Sequence, residues 1–432
     1  MARASRNGII APQTGLWRHP DFLRLWGGQT VSQFGSQITR LALPLTAVLT
    51  LKASATQMGF LGATQSAAFL LLGLVAGVWV DRRQRRPLLI AADLGRALLL
   101  GSIPVVALFG YLRIEQLYLI GFLVGTLTVI FDVAYQSYLP TLVGRQRLVE
   151  GNSKLEASAA VAQIAGPGLA GLLVGAVTAP VALAADVASF LWSAAWLSRI
   201  RCPEPIAQPS HEQTSLRVDI GAGLRLVGQH PLLRPLVVGT ALANVGDSLR
   251  TPILVLFMAR LLALSPGQIG IVFAGGSIGG LLGAGFSSRA VRRVGLGPLL
   301  VGSDLVGVFG MALIPLAVGP AIVTVPLLST AWFLESMAAT LSRINQVSLR
   351  QSLVPDRLQG RVNASVRFVT WGVLPVASLA GGALAATIGV RPTLAAGAGV
   401  GLLAVLVVTL SPVRRLRGFP ATPSAGPRRD EA

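Results

Sequence analysis

Gly77-Val-Trp-Val-Asp81-Arg82-Arg83-Gln84-Arg85-Arg86-Pro87 places five charges in six residues between two long apolar stretches. The stretch before it covers 57–80 and the one after it 88–110. Gly77 and Asp81 close the first as a helix before the arginines begin. Apolar runs of this length need an apolar surround on every side, which a bilayer supplies. The charge run is then the point at which the chain returns to water.

The same alternation continues along the chain. Its 432 residues are 53% hydrophobic and 12% charged, where a soluble protein carries about 25% charged residues. A spanning helix needs ~20 residues. Twelve candidates follow, near 24–50, 57–80, 88–110, 117–139, 154–176, 180–199, 236–260, 267–288, 296–317, 321–342, 366–388 and 392–411. The expected fold is all-α, with twelve transmembrane helices in the lipid bilayer of the plasma or inner membrane.

A net charge of +19 in a soluble protein would suggest nucleic acid, but its distribution excludes that partner. With the N-terminus inside, 29 of the 36 Lys and Arg fall in cytoplasmic segments and four (Lys52, Arg113, Arg260, Arg391) in outer loops. Arg40, Arg96 and Arg250 lie within spans. This asymmetry follows the positive-inside rule and places both termini in the cytoplasm. The lone Cys202 permits no internal disulfide. The first apolar stretch is too long, and too far behind a polar arm, to be a cleavable signal.

Six features recur at a spacing of 211. They are His19-Pro20 with His230-Pro231, Gly35 with Gly246, Asp93-Leu94 with Asp304-Leu305, Ile103-Pro104 with Ile314-Pro315, Leu142-Val143 with Leu353-Val354, and Asn152 with Asn363. All fall at equivalent places in the hydropathy pattern, so the chain reads as one half written twice. The expected organisation is a cytoplasmic arm (1–21), a six-helix bundle (22–199), a cytoplasmic linker (200–233), a second, pseudo-symmetric six-helix bundle (234–411) and a disordered cytoplasmic tail (412–432). Residues 217–230 suit an amphipathic surface helix. Small residues at four-residue spacing, such as Gly73/Gly77, Gly171/Gly175 and Gly275/Gly279/Gly283, let helices approach closely. Packing within one bundle is the plain reading of them, and a homodimer contact the sharper one; a monomer is expected.

The opening stretch resembles the loop 2–3 signature of the major facilitator superfamily, G-x-x-x-D-R-x-G-R-R/K, with Gln84 at the usual glycine and Trp79 at a usual leucine. Its repeat partner, Gly285 to Gly295, keeps Arg289, Arg292 and Arg293 but has no aspartate. A carboxylate at a helix end can dock on the positive N-terminus of a neighbour, and the resemblance implies that Asp81 docks on the start of span eleven. Arg82, Arg85 and Arg86 can pair with carboxylates near the cytoplasmic edge, Asp132 being a candidate. Such a latch would hold the halves together on the inner side while the cavity faces out.

Ala165-Gly166-Pro167-Gly168-Leu169-Ala170-Gly171 in span five resembles the Gly-Pro-x-x-x-Gly motif of the superfamily's antiporters. Proline removes a backbone hydrogen bond and bends a helix, and Gly166 and Gly171 permit close packing around the bend. A generic kinked helix is the alternative. Phe131-Asp132-Val133-Ala134-Tyr135-Gln136 with Leu139-Pro140, Asp93-Leu94-Gly95-Arg96, the Asp186 to Phe190 stretch and Gln351 to Asn363 are similar to the macrolide-efflux and enterobactin-exporter-like branch. That branch implies export, usually driven by proton exchange. The superfamily lines its cavity with spans one, four, seven and ten.

Ionisable groups in spans default to functional candidates. Glu335 in span ten has no basic residue one turn away, so it is expected to be an unpaired carboxylate that takes up a proton; a distant arginine partner is the alternative. Trp332 on the same face could stack on a substrate. Asp247 in span seven has Arg250 one turn on, as a switching pair or a permanent one. Asn244, Asp247 and Thr251 form one polar stripe; Gln29, Ser32 or Gln33, Ser36 and Arg40 form another in span one. Such stripes face water or protein, not lipid. Arg40 is expected to pair with Glu335 or to hold an anionic group of the substrate. Asp93, Arg96, Asp186 and Asp304 read as interhelical ties.

Two motif matches carry nothing. Gly275-Gly276-Ser277-Ile278-Gly279 matches a hydrolase elbow, which needs a strand, a turn and a histidine. Asn363-Ala364-Ser365 matches a glycosylation acceptor but faces the cytoplasm. No spacing suits a metal, so the protein is expected to be neither an enzyme nor dependent on a cofactor. The expectation is a secondary transporter that exports a small amphipathic molecule (drug, antibiotic, siderophore or metabolite) by proton antiport, with the proton motive force as its energy source. An importer or facilitator on the same fold, or a non-transporting membrane receptor, is the alternative.

Overall fold

The computed structural model describes residues 15–72, 79–80, 83–202, 204 and 216–420. Gly77, Asp81 and Arg82 lie outside the described residues. Among these residues there is no strand, and thirteen α-helices run in chain order. They are α1 (Pro20–Leu45), α2 (Ala55–Leu72), α3 (Arg85–Leu108), α4 (Ile114–Val143), α5 (Leu148–Ala176), α6 (Ala179–Ser198), α7 (Leu216–Gln229), α8 (Leu233–Leu256), α9 (Pro266–Val294), α10 (Leu296–Leu313), α11 (Ala321–Leu353), α12 (Asp356–Thr387) and α13 (Val390–Thr409). Nine of them, α3 to α6 and α9 to α13, are long and apolar enough to cross a membrane. The shortfall from twelve has a physical cause: α1 and α8 carry the two polar stripes, which lower their hydropathy, and α2 is described only to Leu72.

The helices pair in the same pattern twice. In the first half α1 packs on α5 and α6, α3 on α4 and α6, and α2 on α4. In the second, α8 packs on α12 and α13, α10 on α11 and α13, and α9 on α11. The duplication reaches the backbone where no residue identity marks it. A π-helical turn over Thr46–Thr50 recurs at Phe257–Leu261, with Leu51 N to Thr46 O and Leu262 N to Phe257 O both at 3.1 Å. Each turn is followed by a non-glycine residue of positive φ, Lys52 at 53° and Ala263 at 50°. Each such residue costs of order 1 kcal/mol, so the surrounding packing holds both.

The duplicated His-Pro pairs begin α1 and α8. His19 Nδ1 accepts from Phe22 N at 3.1 Å, and His230 Nδ1 from Leu232 N and Leu233 N at 3.2 and 3.3 Å. An uncharged imidazole thus satisfies amides that a helix start leaves unpaired. Before α3, Gln84 adopts φ −65° and ψ 128°, so the first-half loop turns without the glycine of the family signature. The equivalent Gly295 has φ 90° and does need one.

The halves meet along two seams, α2 with α12 and α5 with α9, and more lightly where α8 touches α1 and α2. Each seam closes on a glycine pair near the helix ends opposite the linker helix α7. A Cβ on Gly59 would lie 2.7 Å from the Gly382 Cα and 2.6 Å from the Ser378 carbonyl. One on Gly270 would lie 3.0 Å from the Gly171 Cα and 2.6 Å from the Pro167 carbonyl. The spacing of 211 carries one seam onto the other, residue for residue. The linker helix α7 rides on the second half: Val227 packs with Leu233, Val237, Val354, Val362 and Val366, and Gly223 abuts the Arg361 carbonyl.

Candidate functional site: a buried arginine between two carboxylates

Arg250 extends from α8 to α11 and is fully buried. Its Nη2 donates to Asp247 Oδ1 at 2.9 Å and to Glu335 Oε1. Glu335 is therefore not the unpaired carboxylate expected from the sequence. The reason lies in packing: Arg250 is one turn from Asp247 on its own helix, and the α8–α11 approach brings it onto Glu335 as well. The Trp332 ring lies 5.1 Å from the Arg250 guanidinium and 5.1 Å from Phe273, edge to face. Gly276 leaves the notch that Trp332 fills, since a Cβ there would overlap its ring. Trp332 thus lies against the ion pair and stays half-buried.

The three charges differ in access. Asp247 keeps 48% of its side-chain surface exposed, Glu335 11% and Arg250 none. Asp247 is the door to the cluster, and its Oδ1 also accepts from Thr251 at 3.2 Å. Arg250 Nε and Nη1 and Glu335 Oε2 are buried without a protein partner. Burying such groups is costly unless they are paired, and the cluster carries one more carboxylate than arginine. A Cβ on Gly397 of α13 would lie 2.8 Å from the Gly246 carbonyl, so this glycine lets α13 approach α8 one turn from Arg250. In the first half the matching positions are Thr39 and Asp186, joined by a hydrogen bond from Thr39 Oγ1. Asp186 thereby ties α6 to α1, as expected of a peripheral charge.

Arg40 does not reach Glu335. Its charged neighbour is Asp132 on α4, whose own charged neighbours are Arg96 and Arg40. Asp132 is exposed and makes no ion pair with the described loop arginines either. Arg85 N and Arg86 N donate to Glu204, and Arg86 also to the Leu197 and Ser198 carbonyls at the end of α6. Those two arginines fasten α3 to α6 within one half. Gln33 and Ser36 are half-buried on α1. Asn244 donates to the Thr370 carbonyl on α12 at 2.7 Å. Asp93 pairs with Arg96, which lies 4.4 Å from the Phe131 ring and 4.2 Å from the Phe190 ring.

Gly166 and Pro167 lie inside the continuous helix α5. A Cβ on Gly166 would lie 2.5 Å from Gln37, so this glycine admits α1. Gly171 belongs to the seam between halves, a correction to packing within one bundle. Gly275, Gly279 and Gly283 do pack within theirs, against Ser329, Phe333 and Met337 of α11. The sequence reading passed over Glu156, Arg343 and Arg367, which are exposed charges on α5, α11 and α12. The spacing of 211 was the signal, since it relates Asp132 to Arg343 and Glu156 to Arg367.

Residues 11–426 match the model of a family described as transmembrane secretion effector. The enterobactin exporter EntS of Escherichia coli is 27% identical over 414 residues, 94% of each chain. An uncharacterised MFS-type transporter of Mycobacterium tuberculosis is 27% identical over 85% of this chain and 86% of its own length. Among solved structures, a bacterial homologue of the iron transporter ferroportin in its inward-facing state is similar with a TM-score of 0.73 at 19% identity, over 92% of this chain and 99% of that one. The outward-facing state of that homologue gives 0.58 at 19% identity, over 90% and 98%.

Proposed function

The chain belongs to the transmembrane secretion effector family, in the exporter-like branch of the major facilitator superfamily of membrane transporters, and from that premise we propose that it exports a small amphipathic molecule in exchange for protons by alternating access. The observation that carries this reading is the Asp247–Arg250–Glu335 cluster. One arginine balances one carboxylate and leaves a single negative charge in the protein interior. A rocking motion that shuts this cluster away from water is costly while that charge stands. A proton entering by Asp247 removes it, and the halves can return to the inward-open form. On the outward stroke, hydrogen-bond donors of the cargo take the proton's place. Proton and cargo therefore compete for one cluster, which is the condition for antiport.

The glycine seams near the outer ends support an inward-open form of the present structure. Twelve membrane crossings, both termini in the cytoplasm and a monomer complete the reading. One charge moving through 100 mV supplies ~2.3 kcal/mol, a concentration ratio somewhat below a hundred. One proton per cycle is enough for useful efflux. The test begins with a strain that overproduces the protein, challenged with a panel of antibiotics and siderophores. A compound it tolerates better is then added to everted vesicles holding an acid-inside pH gradient. Collapse of the gradient by that compound, lost in Glu335→Gln, is expected. Transport that proceeds equally without a gradient would remove protons from the account.

A further inference from the structure

Pro87-Leu88-Leu89 at the start of α3 matches Pro298-Leu299-Leu300 at the start of α10, at the spacing of 211. The residue ahead of each triplet differs, Arg86 in the first half and Gly297 in the second. In the second half the chain that leaves α13 folds back over the start of α10. Gly297 N donates to the Leu416 carbonyl at 2.7 Å, and Val413 is fully buried in a cluster with Leu296 and Leu300. A Cβ on Gly297 would lie 2.4 Å from the Val413 carbonyl, so only glycine admits this closure. Arg86 carries such a Cβ, and its guanidinium donates instead to the Leu197 and Ser198 carbonyls. The first half keeps an open groove of about 530 Å³ there, between the start of α3 and the residues after α6, walled by Pro87, Ala91, Leu94, Arg201 and Cys202. A second groove, of about 760 Å³, runs along the other flank of Pro87 and Ala91, beside Trp79, Arg83 and Leu88.

Floor and rim of the grooves differ in chemistry. Ala91, Leu94, Leu98 and Val105 form one exposed apolar stripe along α3, and Ala91 and Leu94 belong to the groove as well. The apolar floor therefore runs on into the face that meets acyl chains in a bilayer. The rim is cationic. Arg83 and Arg201 are exposed, and among the described residues neither forms an ion pair. Arg83 lies 5.2 Å from the ring of Trp79, itself exposed, as indoles are at the headgroup level of a membrane. The one acid in the walls, Glu204, is already engaged: it accepts from Arg85 N at 2.7 Å and Arg86 N at 3.2 Å and pairs with the Arg85 side chain.

We propose that the grooves at the start of α3 hold one anionic phospholipid of the cytoplasmic leaflet, its phosphate at the Arg83 and Arg201 rim and its acyl chains along the Ala91, Leu94 and Leu98 stripe. A guanidinium holds phosphate oxygens through two parallel hydrogen bonds, and the Gln84 amide on the ridge between the grooves adds a neutral donor. The ammonium of a zwitterionic lipid is repelled by the same arginines, so phosphatidylglycerol is selected over phosphatidylethanolamine. A soluble phosphate ester lacks the chains that the apolar floor takes. The lipid covers in the first half the position that Leu416 covers in the second. This inference rests on the membrane orientation given above but not on cargo or coupling ion.

Native mass spectrometry of the full chain, stripped of lipid in detergent and titrated with single lipids, tests the site. Phosphatidylglycerol is expected to bind roughly tenfold more tightly than phosphatidylethanolamine or phosphatidylcholine of the same chains. Arg83→Gln with Arg201→Gln is expected to weaken it about 25-fold, at about fivefold for each basic residue near an anionic headgroup. Arg292→Gln with Arg293→Gln removes the same charge from exposed positions at the end of α9 and is expected to leave binding unchanged. Equal losses in the two double variants would overturn the site, since diffuse attraction to a basic face gives that result. Equal binding of the zwitterionic lipids would overturn it too. Ala91→Trp fills both grooves and keeps both arginines; it is expected to lose the lipid, and unchanged affinity would refute the placement. Glycerophosphoglycerol, the headgroup without chains, is expected not to displace the lipid; displacement would give the rim to a soluble phosphate ester instead. None of these arms needs a cargo or a gradient, so lipid binding and export stand or fall separately.

Discussion

Glu335 on α11 accepts a hydrogen bond from Arg250 on α8, and the same guanidinium nitrogen serves Asp247 at 2.9 Å. Removing the arginine leaves two carboxylates near each other with no counter-charge. Arg250→Ala should therefore destabilise the folded protein by about 3–5 kcal/mol, the cost of breaking a buried pair from one side. Thermal unfolding in detergent measures this. Glu335→Gln keeps the shape and one hydrogen bond to the arginine, so it should fold with a midpoint near that of the wild type while losing proton-driven flux.

Asp247 is the exposed member of the cluster. Asp247→Asn should leave cargo binding measurable but make it independent of pH, because the amide cannot take up the proton that competes with cargo. The wild type should bind cargo more weakly as pH falls, since protons occupy the shared site. Equal pH dependence in both proteins would take Asp247 out of the proton path.

The glycine seams set which form is populated. Gly382→Ala places a methyl against backbone at 2.8 Å, where no side chain can yield. The expected cost to the outer-closed form is about 1–3 kcal/mol. Because the outward-open form separates this seam, the substitution should shift the population outward rather than unfold the protein. Gly59→Ala, on the other side of the same contact, should do the same. Labelling of a cysteine at an outer cavity position would rise in both variants.

The His230 cap carries a pH signature of stability. Burial lowers the pKa of this imidazole, which lies outside the spans. A folded-state pKa below the unfolded value, about 6.5, means that the cap contributes fully above that pH. Its contribution is lost as pH falls through the lowered folded value, because protonated Nδ1 cannot accept from Leu232 and Leu233. His230→Ala should cost about 1 kcal/mol at pH 8, as polar N-caps do, and progressively less toward pH 5. Unfolding midpoints of the two proteins at the two pH values check it.

Much of the fold is legible in the chain because it follows from local composition. Apolar runs, the arginines that punctuate them and the repeated His-Pro starts act through hydropathy, membrane potential and helix capping, all of which depend on neighbours in sequence. The same holds for α7 and for the polar stripes of α1 and α8. Glu335 was misread for the opposite reason: its partner lies 85 positions away. The seating of Trp332 was not legible either, because the notch at Gly276 belongs to another helix.

The amino-acid sequence by itself determined the class of molecule, the doubling of its halves and the family to which it belongs. Only the tertiary structure decided which charges meet. It joined Arg250 to Glu335, set Asp132 beside Arg40, and brought Gly171 and Gly59 to the seams. Burial in a bilayer is an averaged property of ~20 consecutive residues, and a sequence displays it openly. An ion pair or a close glycine contact depends on the crossing of two helices to within an ångström or so. That crossing is set by the packing of every side chain between them.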